Sequence, residues 1–174
     1  LLYNKDEDGK GLPVEPGSKL SLFSASSINL LAGGTGSGVS TVSSDMRTAL
    51  MEQGFTINES LWNFYTENKD TYTRGGGAIM YGMAEDWSIN EAPIDAIPDE
   101  AKQEAEGTTP IFFISRTGGE GRDLGRYMGD SAATDADRDK HYLEPDSVEL
   151  GVIDYLNQNF DNVIIVVNTN NAFE

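Results

Sequence analysis

The chain has no cysteine and a single histidine, His141. The first absence removes disulfide frameworks, thiolate nucleophiles and cysteine-based zinc or iron–sulfur sites. The second excludes a histidine-rich metal centre and a serine triad with a base to spare. Basic residues are scarce: 12 Lys and Arg stand against 29 Asp and Glu, a net charge of −17 over 174 residues. Such a surface repels phosphate backbones and anionic lipid, which excludes nucleic acid and membrane as partners. Long apolar runs are missing too, none approaching the roughly 18 residues of a membrane span. The opening LLYNKDED has neither the apolar core nor the cleavage site of a signal peptide, so the compartment stays undefined. What is present, 38% hydrophobic and 24% charged residues, is a soluble globular composition of one-domain size.

Hydrophobic periodicity organises the rest. Residues 1–18 are polar and turn-rich, with Asp8-Gly9 and Pro16-Gly17, and read as a linker-like segment. Residues 19–24 alternate as a strand, and a small-residue loop follows with Gly33, Gly34, Gly36 and Gly38. Val42, Met46, Ala49 and Leu50 recur at helical spacing ahead of Gly54, residues 55–57 suit a short strand, and 60–69 suit a helix. From Arg74 to Gly107 the acidic, glycine- and proline-bearing stretch reads as an irregular surface excursion, with room for a short helix near 99–106. IFFIS (111–115) is continuously apolar, as in a strand covered on both faces. Asp146 and Glu149 form an Asp-x-x-Glu box opening a helix with Val148, Val152, Leu156 and Phe160 on one stripe, and VIIVV (163–167) is the last strand. The pattern predicts an α/β fold, a mostly parallel sheet between layers of helices. Sites in such sheets gather beyond the carboxyl ends of strands, here loops 24–40, 115–130 and 168–171.

Most candidate motifs fail on detail. GGTGSG (33–38) lacks the Gly-Lys-Ser/Thr of a phosphate loop and has Val39 where a dinucleotide fingerprint needs its third glycine. It reads as a structural glycine loop. Asp135, Asp137 and Asp139 suggest calcium, but Lys140 occupies the template's glycine position. Asn58-Glu59-Ser60 is a formal glycosylation sequon, and of the two tryptophans Trp62 suits a helix core while Trp87 is the freer. In SRTGGEGRD (115–123), Glu120 sits between Gly119 and Gly121, flanked by Arg116, Arg122 and Asp123, where a loop leaves a buried strand. A carboxyl there is either solvated or, with a raised pKa in a closed cleft, a general acid and base.

Four stretches in order carry a resemblance. ISRTGGEGRD (114–123) resembles the I-S-R-x-S/G-G-E-G-x-D-R segment in the second domain of family 3 glycoside hydrolases, the β-glucosidases and related enzymes. LLYNKDEDGKGLPV (1–14) resembles the stretch that follows the family's barrel domain, and residues 19–40 resemble its first strand and G-G-x-G-S-G-x-V loop. Residues 141–174 resemble its L-x-x-x-E-x-x-L-I helix and following V-V-V-x-x-N segment. The resemblance implies a three-layer α/β/α sandwich over 19–174, incomplete because later strands would lie beyond Glu174; the start on Leu1 likewise suits a piece of a longer protein. It implies retaining hydrolysis of a β-linked sugar, with Glu120 as acid/base, Arg116, Gly119, Gly121, Arg122 and Asp123 supporting the loop or cleft, and the aspartate nucleophile on an absent barrel domain of the same enzyme. No metal or organic cofactor is implied, and the isolated piece is expected to be inactive. The family's Asp-Arg is Asp123-Leu124 here, leaving Arg122 or Arg126 to replace that arginine. This departure is the main support for the alternative, a non-catalytic module binding a small polar ligand or a partner protein.

Overall fold

The computed structural model describes residues 11–31, 44–75, 86–118, 124–169 and 171–174. In chain order its strands are β1 (Lys19–Phe23), β2 (Thr56–Ile57), β3 (Thr73–Arg74), β4 (Ile89–Asn90), β5 (Thr109–Arg116) and β6 (Ile164–Thr169). Strands β2, β1, β5 and β6 lie side by side in that order with every pair parallel, while β3 and β4 form a separate antiparallel pair. The predicted apolar run is thus an inner strand, and Pro110 to Arg116 are all buried.

Alternation along the strands divides the core between two faces. Leu20, Leu22, Ile111 and Phe113 pack with Met46, Leu50 and Trp62 on one side. Phe23, Phe112 and Ile114 pack on the other with Leu61, Phe64, Tyr65, Ala101, Ala105, Val152 and Leu156. Helix α1 (Met46–Glu52) therefore covers one face, with Trp62 of α2 (Glu59–Glu67) reaching the same side, while the buried stripe of α2 together with α3 (Asp99–Ala105) and α4 (Ser147–Asn159) covers the other. This is the expected three-layer α/β/α sandwich. Each fully buried Leu or Phe contributes about 1.5–3 kcal/mol, so the central strands dominate its stability.

Local chemistry sets the helix ends. Asp45 accepts the Thr48 amide at 2.7 Å to start α1, and Gly54 follows its end at φ +88°, a backbone region open to glycine. Asn58 starts α2 by accepting the Leu61 amide at 2.9 Å; its amide nitrogen donates to Ala101 O at 2.9 Å and Ser21 Oγ at 3.2 Å. The residue is completely buried, tying α2, α3 and β1 together. The Asp146–Glu149 box forms as predicted, with Glu149 N donating to Asp146 Oδ1 at 2.8 Å and Asp146 N to Glu149 Oε2 at 2.9 Å.

One expectation is overturned. Within the stretch read as a surface excursion, Ala92, Ile97, Ala101 and Ala105 are buried in the main core. Acidic residues flank these side chains in sequence: Asp95, Asp99, Glu100 and Glu106 are exposed on α3 and the turns around it, whereas Glu91 is itself buried. Trp87 is not free either: it is half-buried, edge-on to Tyr142 at 6.2 Å. Asp137 is also interior, accepting from Ser147 Oγ and Thr134 Oγ1 (both 2.6 Å) and from Ser147 N at 2.9 Å. Its carboxyl is held down to about 2, although burial alone would raise it, because these donors and Lys140 favour the charged form.

Candidate active site

The carboxyl ends of β1, β5 and β6 open on one edge of the sheet, and all three predicted loops leave from it. Their described residues are cross-braced. Asn168, late in β6, accepts the Leu31 amide at 2.6 Å and donates to Leu31 O at 3.2 Å. Thr169 Oγ1 donates to Arg116 O at 3.1 Å. Gly118 comes so close to Asn171 that an added Cβ would lie 2.6 Å from its side-chain amide.

Glu120, Gly119, Gly121, Arg122 and Asp123 lie outside the described residues, as do Gly33, Gly34, Gly36 and Gly38. Arg116 is described, and it faces inward. Its guanidinium is fully buried and forms a two-pronged ion pair with Glu149, at 2.8 Å to Oε1 and 2.6 Å to Oε2. Its remaining donors reach Tyr142 O at 2.7 Å, Ser115 O at 3.0 Å and Glu144 O at 2.5 Å. Arg126, the other candidate arginine, is exposed with its guanidinium 5.4 Å from the Tyr127 ring.

Three further polar residues at this edge escaped the sequence reading. Arg74 donates to Thr117 Oγ1 at 3.1 Å and to Asn29 O at 3.0 Å, bridging the loops after β1 and β5. Burial lowers its pKa. Ser24 has φ +99°, a strained value for a residue with a Cβ. Beside it, buried Glu91 accepts the amides of Ala25 at 3.1 Å and Ala92 at 2.8 Å. Burial pushes the Glu91 carboxyl up to about 7, against the pull of these hydrogen bonds. Asp146 rises to about 6, first by burial and then by the charge of Glu149. Glu91, Glu149, Arg74 and Ser115 line one narrow cavity of about 10 Å³. An isolated Arg-Gly or Asn-Glu-Ala in sequence carries no sign of such placement. Glu149 did carry a signal, but as a helix cap.

Among the described residues, His141, Glu144 and Glu174 are close enough to share a cation, with ligand atoms within 4.8 Å of one another. His141 Nδ1 is 3.0 Å from Glu174 Oε2, an ordinary half-exposed pair. The described groups at the sheet edge thus form a scaffold: most of their donors and acceptors engage one another, although Arg74 Nε and Asp146 Oδ2 are buried without a partner among the described residues. Among the described residues, no helix is long and apolar enough to cross a membrane.

No family model and no curated protein matches the chain. Solved structures do. The chain is similar to β-glucosidase 3B from Thermotoga neapolitana in complex with glucose, at 22% identity and a TM-score of 0.65, over 94% of this chain and 22% of that one. It is also similar to a β-glucosidase from Paenibacillus barengoltzii, at 25% identity and a TM-score of 0.66, over 94% of this chain and 16% of that one. The chain thus spans about a fifth of the length of the enzymes it matches. It has the fold of one region of these β-glucosidases.

Proposed function

We propose that the chain is the acid/base-bearing part of a retaining family 3 glycoside hydrolase acting on a β-linked sugar. Residues 1–18 would lead in from the barrel domain of the same enzyme, and 19–174 would form the sandwich that closes its cleft. Glu120 protonates the leaving glycosidic oxygen while an aspartate of the barrel attacks the anomeric carbon; Glu120 then takes the proton of the water that releases the sugar. The two carboxyl groups must come within about 5–5.5 Å, a task for a glycine-flanked loop with a rigid root.

The observation that carries this reading is the position of the GGEG sequence. It begins two residues beyond Arg116, the last residue of a buried parallel strand, in a chain whose fold recurs in β-glucosidases. A net charge of −17 suits a neutral substrate better than an anionic one.

The test is Glu120→Ala in the intact protein. Cleavage of a β-glycoside with a poor leaving group should fall by about 10²–10⁴-fold, the usual worth of a positioned acid. A dinitrophenyl glycoside, whose leaving group needs no proton, should still be attacked, and azide should speed turnover. Full activity of the variant on an unactivated disaccharide would overturn the assignment.

A further inference from the structure

The Arg116–Glu149 pair at the end of β5 is buried and has no contact to offer a substrate, which raises the question of its role. A guanidinium has five N–H donors, and Arg116 directs them to Glu149 Oε1 and Oε2 and to the carbonyls of Ser115, Tyr142 and Glu144. The backbone of the same residue is held from the other side, its carbonyl accepting from Thr169 Oγ1. Arg116 is therefore fixed through both side chain and main chain, four positions before Glu120. Residues 142 and 144 lie on the segment that returns to the sheet after the loop, so one side chain ties the way in to the way back. Glu149 belongs to the first turn of α4, where it also accepts the Asp146 amide as half of the capping box.

Burying two charges is a poor means of gaining stability, since apolar replacements of equal volume are often as stable or more so. Its particular strength is directional: a planar fork facing a carboxylate allows one orientation. The surroundings are polar at some cost, for Asp146 Oδ2 is buried without a hydrogen-bond partner among the described residues. An arrangement of this kind sets geometry.

We infer that Glu149, acting through Arg116, is a positioning residue for the carboxyl on the 119–123 loop, transmitting the rigidity of helix α4 to the acid/base. This rests on the proposed role of Glu120. The predicted consequence is selective. Loosening the pair misplaces the proton donor, and misplacement of about 1 Å can cost up to about 10²-fold in rate, while binding of the sugar by the rest of the enzyme is unaffected.

Glu149→Gln and Arg116→Lys, each in the intact protein, provide the test; the second keeps the charge and loses the fork, and serves if the first does not fold. Two readouts are needed. For an alkyl β-glycoside kcat should fall about tenfold or more with KM nearly unchanged, while a dinitrophenyl β-glycoside should lose less than about threefold in its first, burst step. Amide hydrogen exchange over 117–124 should accelerate about tenfold more than exchange over 19–23, which registers any global loss of stability. Equal losses on both substrates, or no such excess in the loop, overturn the inference. If Glu120→Ala hydrolyses as well as the wild type, the proposed function fails alone, and the exchange arm then decides whether the pair holds the loop.

Discussion

At the amino end of the sheet, Glu104 of α3 accepts from Lys19 Nζ at 2.8 Å and from the amides of Glu59 and Ser60, both at 3.2 Å. Its carboxyl is held down to about 2, although partial burial pulls the other way. At the carboxyl end Glu91 also accepts backbone amides, yet burial dominates and lifts it to about 7. The difference lies in what each carboxylate meets. Glu104 faces a lysine and the opening turn of α2, where the helix dipole favours negative charge; Glu91 lies in the interior beside a second buried acid, Glu149. One end of the sheet is compensated and anchors the fold. The other retains polar groups at a cost, which is where working sites in parallel sheets collect.

The comparison can be broken most severely at Arg116. Arg116→Ala strands Glu149 in the interior, and the expected loss is about 3–5 kcal/mol, the usual result of removing one partner of a buried pair. Urea titration measures it, and a loss below about 1 kcal/mol would mean that water reaches Glu149 freely.

A second test sharpens the contrast through pH. Because the folded pKa of Glu91 lies above its unfolded value of 4.5, the native state holds its proton longer. Stability should therefore fall as pH rises from about 4.5 to about 7, by roughly 3 kcal/mol at about 1.4 kcal/mol per pKa unit. Glu91→Gln should flatten that decline and leave the variant more stable than wild type above pH 7. Glu104 has the opposite sign. Its contribution is complete above pH 4.5 and is lost as pH falls toward 2. With its side chain 25% exposed, Glu104→Gln should cost on the order of 1 kcal/mol at neutral pH, and nothing at pH 2. Identical pH profiles for the two variants would end the distinction between the sheet's ends.

These differences explain which parts were legible beforehand. IFFIS declared itself because a strand buried on both faces needs unbroken apolar sequence, and Asp146-x-x-Glu149 because a capping box is local. The core role of Ala92, Ile97, Ala101 and Ala105 was hidden: their burial depends on α3 docking against α2 and β5, and small residues among acids show no strong periodicity. Glu91, Arg74 and Glu149 meet only because β3, the residue after β4 and the first turn of α4 converge in space. Such convergence is long-range. The neighbourhood in sequence drew notice to Arg116, but its inward direction follows from Glu149, 33 residues away.

Asn58 carries one more consequence. The acceptor nitrogen of a glycan at the Asn58-Glu59-Ser60 sequon is the atom that donates to Ala101 O and Ser21 Oγ in the closed interior. An N-linked sugar is bulky and belongs on a surface. Attachment before folding would wedge α2 away from α3 and β1, and attachment afterwards is sterically closed. In a glycosylating compartment, then, occupancy at this sequon would count the molecules that failed to fold.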